Sequence, residues 1–309
     1  MSTEILLESG TNELEILEFT IGGNHYGINV AKVKEILPYK EPTPVPNAHP
    51  AVEGLFMPRD QIITIIDLTA CLNMKNTTRD DNGMYILTNF NKLSVAFHVD
   101  KVVGIHRVSW EEIVKPDKTI NVAGKGVATG IVKLEQQLII ILDFEKIVSD
   151  ISPETGLKVS DIDHLKGRRK TELPILISED SPLLSTLITD CLHKAGYTNV
   201  YVTANGKEAW EKLKEYKGST NILDKVSCII TDIEMPQMDG HRLTKLVKDD
   251  EELQEIPVII FSSLITDEMR KKGEALGADA QLTKPEIGSL IETMDEIIAK
   301  KYGSSASPQ

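Results

Sequence analysis

Cysteine is scarce in this 309-residue chain: only Cys71, Cys191 and Cys228 occur, far apart and without CxxC spacing. That pattern excludes a disulfide framework and a thiolate zinc site, and it leaves the three as reduced core residues. Basic residues are outnumbered. Lys and Arg total 34 against 47 Asp and Glu, a net charge of −13, so no groove for nucleic acid is expected, because phosphate recognition relies on clustered cations. The one basic cluster, Lys166 with Arg168, Arg169 and Lys170, is short and reads as solvated linker. No run approaches the ~18 consecutive apolar residues that span a bilayer, and the N-terminus lacks a basic, apolar, small-residue leader pattern. The expectation is a soluble, cytoplasmic protein with no direct membrane insertion. The stretch "EPTPVPNAHP" is rich in proline yet contains no PxxP, and reads as an extended connection between strands.

What is present suffices for two domains, since 41% of the residues are hydrophobic. Between Asp150 and Thr171 apolar density falls, charge collects, and Pro153, Gly156 and Gly167 interrupt the chain. A linker over 152–171 therefore separates a domain at 12–151 from one at 172–302.

Period-two alternation dominates the first domain. An internal repeat also runs through it. "YGINVAKVKEI" (Tyr26 to Ile36) matches "VAFHVDKVVGI" (Val95 to Ile105) at an offset of 69, and "IITIIDL" (Ile62 to Leu68) matches "LIIILDF" (Leu138 to Phe144) at an offset of 76. Two paired blocks in the same order predict a duplication, giving two similar small β-barrels packed together.

The second domain changes character. The runs "LPILIS", "NVYVT", "VSCIIT", "PVIIFS" and "DAQL" alternate with helical stretches, as buried parallel strands covered by helices do. Ser181 with Pro182 predicts a capped helix start, and Ile287, Leu290, Ile291, Met294, Ile297 and Ile298 form one apolar stripe. The prediction is a doubly wound α/β domain with a five-stranded parallel sheet.

In such sheets ligands sit beyond the carboxyl ends of the strands, where the order reverses. The polar residues of this half fall there. Glu179 and Asp180 follow strand one, Asp232 follows strand three, Ser262 and Ser263 close strand four, and Thr283, Lys284 and Pro285 follow strand five. Three crowded carboxylates repel one another unless a hard divalent cation neutralises them, and oxygen-only ligation suits Mg²⁺. Lys284 and the Ser262 hydroxyl can each meet a phosphoryl oxygen. Asp232 is then the nucleophile of an aspartyl phosphate. Ser263 and Thr283 read as loop residues, Trp110 and Trp210 as packing residues, and His98, His106 and His241 as surface or strand histidines.

Residues 173–300 resemble a response-regulator receiver domain, with the acids Glu179 and Asp180, the acceptor in "TDIEMPQMDG", the hydroxyl at Ser262 and "KP" at Lys284 in the family's order. This resemblance implies phosphorylation of Asp232 and a metal held by Glu179, Asp180, Asp232 and the main-chain carbonyl of Glu234. The first half resembles the CheW-like coupling family, a double SH3-like barrel, through "VPNAHPAVEGLFMPRDQIITIIDL" and "LIIILDFEKIV". Together the halves resemble chemotaxis coupling proteins that dock on the cytoplasmic tips of chemoreceptors and on the histidine kinase CheA, and take phosphoryl from that kinase. The same resemblance carries Arg59 over as a partner contact.

Two departures stand out. The coupling family places Gly after that arginine, where this chain has Asp60, and receivers commonly place Tyr or Phe where this chain has Gln281. Three further readings stay open: an adaptor with a receiver that is not phosphorylated, a phosphatase with an aspartate nucleophile, and a transcriptional regulator. The phosphatases place their nucleophile after the first strand, and only "YGSSASPQ" follows the last helix here.

Overall fold

A computed structural model describes residues 12–74, 83–90, 93–116, 126–134, 137–152, 168–263, 265–284 and 286–303. Most of the expected linker, 153–167, lies outside these residues, as do Pro285 and the tail at 304–309. The chain divides into two compact units, one of Glu13–Thr155 and the other centred on Gly156–Gln309.

In the first unit the alternating segments form ten strands: β1 (Glu13–Ile21), β2 (Asn24–Asn29), β3 (Val33–Pro38), β4 (Val52–Phe56), β5 (Ile63–Asp67), β6 (Met84–Phe90), β7 (Leu93–Val99), β8 (Lys101–Ser109), β9 (Ala128–Leu134) and β10 (Gln137–Leu142). Short helices α1 (Leu68–Cys71) and α2 (Phe144–Ile151) follow β5 and β10. The strands build two sheets, ordered β8-β1-β2-β10-β9 and β3-β6-β7-β5-β4. This is the double SH3-like barrel.

The two orders are the same order. Advancing each strand of the second sheet by one repeat, and returning β6 and β7 to β1 and β2, reproduces the first sheet. The register agrees as well. The parallel pair Tyr26 with Ile140 becomes Val95 with Thr64 under the offsets of 69 and 76, and Gly27 with Ile141 becomes Ala96 with Ile65. Even the caps repeat. Asp67 Oδ1 accepts the Thr69 and Ala70 N–H groups at the start of α1, and Asp143 Oδ1 accepts the Lys146 N–H in α2. The repeats also exchange strands, because each sheet takes two strands from one repeat and three from the other. The crossing occurs at Asn29, whose side chain accepts the Ala31 N–H at 2.9 Å and turns the chain out of one sheet toward β3 in the other. A shared core containing Leu17, Phe19, Tyr26, Ile66, Phe97 and Phe144 joins residues of both sheets. Each sheet also has its own, around Ile16, Trp110 and Ile141 in one and Ile63, Ile65 and Tyr85 in the other. Burial of each large side chain contributes about 1.5–3 kcal/mol.

The second unit alternates β11 (Ile175–Ser178), α3 (Pro182–Lys194), β12 (Val200–Thr203), α4 (Gly206–Tyr216), β13 (Cys228–Thr231), α5 (Gly240–Asp249), β14 (Val258–Ser262), α6 (Asp267–Ala275), β15 (Ala280–Thr283) and α7 (Ile287–Tyr302). All its strand pairs are parallel, in the order β12-β11-β13-β14-β15. Chain order reverses at β11. β11, β13 and β14 are buried throughout because helices cover both faces; one core packs with α3 and α7, the other with α4 and α5. Ser181 caps α3 with Pro182 at its first position, and the α7 stripe is buried except for Ile297, which is partly covered.

Two expectations fail here. Arg168, read as solvated, is mostly buried against Asp295 of α7; of the described residues of that basic cluster, only Arg169 and Lys170 are exposed. His241, read as a surface or strand histidine, is 2% exposed in the first turn of α5. Burial pushes its imidazole down to about 3, with Lys272 adding to the effect, so it is neutral at physiological pH. His98 and His106 do lie on strands, each against a carboxylate, Glu53 at 2.8 Å and Glu18 at 2.5 Å.

Candidate functional site

Parallel strands end together, so the residues that follow β11, β13 and β15 meet on one edge although up to 105 positions separate them. Glu179, Asp180 and Asp232 each bring a carboxylate oxygen into a cluster whose members lie within 4.8 Å of one another. Lys284 joins them from β15. Its Nζ donates to Glu179 Oε2 at 2.7 Å and to Asp232 Oδ2 at 2.9 Å. Glu179 is 3% exposed and Lys284 4%, so the bridge lies in a medium of low polarisability, where charges interact strongly.

Main-chain donors aim the acids. Asp232 Oδ1 accepts the N–H of Ile233 at 2.6 Å, and Glu179 Oε1 accepts that of Ser181 at 3.2 Å. Ser262 is buried as the last residue of β14, opposite Thr283, and its carbonyl accepts the Lys284 N–H at 3.2 Å. Thus Ser262 and Lys284 are fixed to each other by the sheet.

One ammonium does not balance three carboxylates. Burial pushes the Glu179 carboxyl up to about 8, Lys284 opposes that rise, and the charges of Asp232 and Asp180 add to it. The donors are all oxygen, they converge, and they carry excess negative charge, which together fit a hard divalent cation such as Mg²⁺. Glu234 lies two residues past Asp232 and is half-buried.

Arg59 stands in the other unit and belongs to a different kind of site. Its guanidinium donates to Glu35 Oε1 at 2.7 Å, and its side chain is 80% exposed. Both Arg59 and Asp60 adopt left-handed backbone, φ 50° and 66°. Asp60 thus takes the conformation that Gly would reach without strain.

Two residues of the acceptor loop had no role assigned from sequence. Asp239 caps α5 by accepting the Arg242 N–H at 2.6 Å, and Gly240 packs directly on the main chain of Asp232. The "DG" pair after the acceptor is a helix-start signal that could have identified both. Gln281 is also buried. Its amide donates to the Arg270 carbonyl at 2.7 Å beneath Gly273, tying β15 to α6 where an aromatic side chain was expected from the resemblance.

With this geometry established, similarity to known proteins is informative. The profile of the CheW-like domain matches residues 15–152, and that of the response regulator receiver domain matches 175–295. Chemotaxis protein CheV2 of Helicobacter pylori is 30% identical over 313 residues, covering 93% of this chain and 96% of that protein. Chemotaxis protein CheV3 of the same organism is 28% identical over 302 residues, covering 94% and 96%. Among solved structures, the scaffolding protein TtCheW from Thermoanaerobacter tengcongensis is 22% identical, with 42% of this chain and 83% of that chain covered at a TM-score of 0.39.

Proposed function

The chain belongs to the CheV family of chemotaxis proteins, a CheW-like domain followed by a receiver domain, and from this premise we propose that it is an adaptor controlled by phosphorylation of Asp232. In this reading the barrel half couples the cytoplasmic tips of chemoreceptors to the histidine kinase CheA, at membrane-associated receptor arrays in the cytoplasm. The receiver half takes phosphoryl from that kinase, for adaptation or as a phosphate sink. The protein is then a phosphoacceptor and scaffold, without turnover of an external substrate.

A single observation carries the reading: Lys284 reaches both Glu179 and Asp232 across a cluster of three carboxylates. An acid serving only as a turn former does not require a buried lysine or two further acids beside it.

Glu179, Asp180 and Asp232, with the main-chain carbonyl of Glu234, would hold Mg²⁺. When bound, the ion neutralises charge on the transferred group. In the transfer itself a carboxylate oxygen of Asp232 attacks phosphorus and a P–O bond forms as the P–N bond of a phosphohistidine breaks. The imidazole nitrogen keeps the electron pair and takes a proton. Ile233 N–H and Lys284 Nζ hold one Asp232 oxygen each, so the nucleophile is oriented before the donor arrives. As the Asp232 oxygen becomes part of an acyl phosphate, Lys284 turns from it to the phosphoryl oxygens. The Ser262 hydroxyl donates to another.

Label transfer tests this. Autophosphorylated CheA with Mg²⁺ is expected to label the wild type and leave Asp232→Ala unlabelled. A receptor-array pull-down is expected to recover the wild type with CheA. Equal labelling of both proteins, or none of either, removes the phosphoacceptor. An unlabelled protein that still joins the array would be an adaptor with an inert receiver, and release of phosphate from small esters would restore the phosphatase reading.

A further inference from the structure

Far from the carboxylate cluster, the structure buries a second charged group that the mechanism above does not use. Arg168, near the end of the linker, is the first residue described after 153–167, and its Nη2 donates to Asp295 Oδ2 at 2.5 Å. The other oxygen of Asp295 accepts the hydroxyl of Tyr197, a fully buried residue, at 2.7 Å. Three segments meet there: the linker end, the turn before β12, and α7. Backbone pairing reinforces the junction, with the Thr171 N–H on the Gly196 carbonyl at 2.9 Å and the Thr198 N–H on the Thr171 carbonyl at 3.0 Å.

Stability alone is a poor account of this arrangement. A buried ion pair must offset the desolvation of two charges, and apolar side chains of similar size often do as well. This one is incomplete, because Nη1 of Arg168 is buried with no hydrogen-bond partner among the described residues. A buried donor left unmade costs free energy, so the contact can be shifted at lower cost than a saturated one.

Its position in the chain connects it to the site. Helix α7 starts three residues after Lys284, and Asp295 lies about two turns along it. The apolar side chains Leu290, Ile291, Met294 and Ile298 of the helix pack into one core, so α7 moves as a body. Lys284 is almost fully buried and held by both Glu179 and Asp232, so a move of its ammonium from Asp232 Oδ2 to a phosphoryl oxygen would pull on the chain that continues into α7.

We propose that Arg168, Asp295 and Tyr197 form a latch that holds the linker end on the receiver, and that phosphoryl on Asp232 loosens it through α7. This rests on the phosphoacceptor reading and adds to it a route by which the receiver acts on the chain leading to the barrels. The coupling element is a rigid helix that begins three residues after the site lysine and carries the latch carboxylate about two turns further on.

Hydrogen exchange on the full chain tests the latch, read at the amides of Thr171 and Thr198 with and without Mg²⁺ and acetyl phosphate. Mass spectrometry reports phosphoryl on Asp232 in the same samples. In the wild type, phosphorylation is expected to speed exchange at both amides by about threefold or more, and Asp232→Ala should show no change. Asp295→Asn keeps the size of the side chain and loses its charge; Asp232 should still be loaded while the response at Thr171 and Thr198 disappears. Tyr197→Phe, which removes a single hydrogen bond, should reduce the response, and it serves if Asp295→Asn does not fold. Unchanged or slower exchange on a loaded wild type overturns the latch and leaves the phosphoacceptor standing, as does a full response in both latch variants. Absence of phosphoryl from Asp232 overturns the phosphoacceptor reading, and the latch falls with it.

Discussion

Gly240 lies against the main chain of Asp232 so closely that a Cβ on the glycine would stand 1.9 Å from the aspartate carbonyl oxygen. The atom opposed is backbone, so the neighbour cannot simply rotate away. Gly240→Ala is therefore expected to push the acceptor loop outward, costing about 1–3 kcal/mol of stability and lowering phosphoryl acceptance about tenfold or more. Label transfer from the kinase and thermal unfolding measure the two effects. Normal acceptance in a folded Gly240→Ala protein would mean that this approach does not position Asp232.

Replacing the site lysine separates its structural from its chemical role. Lys284→Met keeps length and removes the charge, leaving Glu179 and Asp232 without their shared cation in a buried site. Loss of one partner from such a pair costs about 3 kcal/mol or more, and loss of charge stabilisation on the transferred group lowers phosphorylation about a hundredfold. Mg²⁺ is expected to return much of the stability and little of the rate, because it restores positive charge to the carboxylates without supplying the donor. Melting curves with and without Mg²⁺, set beside label transfer, show whether the two effects part in this way.

The Glu179 carboxyl gives the metal-free protein a distinctive pH dependence. Its folded value, about 8, lies above its ordinary value of 4.5 because burial opposes the charge, so the folded state retains a proton that the unfolded chain gives up between those values. Its contribution to stability is full below about 4.5 and declines as pH rises toward 8, the reverse of the usual carboxylate. A bound divalent cation needs the deprotonated form. Mg²⁺ affinity should accordingly rise as pH increases, by up to about tenfold per pH unit, and level off near pH 8. Titrations at pH 6 to 9 on the wild type and Glu179→Gln check this; a pH-independent affinity in the wild type would remove Glu179 as the titrating ligand.

Much of this arrangement is legible in residue order, for reasons particular to each element. β11, β13 and β14 are apolar on both faces, so their runs stand out, and parallel strands carry the polar residues after them to one edge. Glu179, Asp180, Asp232 and Lys284 could thus be grouped without coordinates. The duplication was legible too, because "IITIIDL" and "LIIILDF" recur at a fixed offset, and the Asp67 and Asp143 they contain cap equivalent helices. The exchange of strands between repeats was not, since neither offset states which strand pairs with which. Arg168 was misread for a related reason. Its carboxylate partner is 127 positions away on α7, and nothing local distinguishes it from its exposed neighbours Arg169 and Lys170.

The repeat has a consequence on the surface. Ile62 and Leu138 occupy equivalent positions and are exposed to 65% and 61%, and Ile36 and Ile105 form a second equivalent exposed pair. If the proposed coupling of receptor and kinase holds, large apolar side chains left in water at matching places on two barrels suit one partner on each barrel. Ile62→Arg and Leu138→Arg should fold with stability changes within about 0.5 kcal/mol, because neither side chain is part of a core. In array pull-downs each is expected to weaken capture of a different partner, the receptor in one case and the kinase in the other, and the double variant to lose both. Were both single variants to weaken the same partner equally and spare the other, the two patches would form one contact, and a separate surface would have to account for the second.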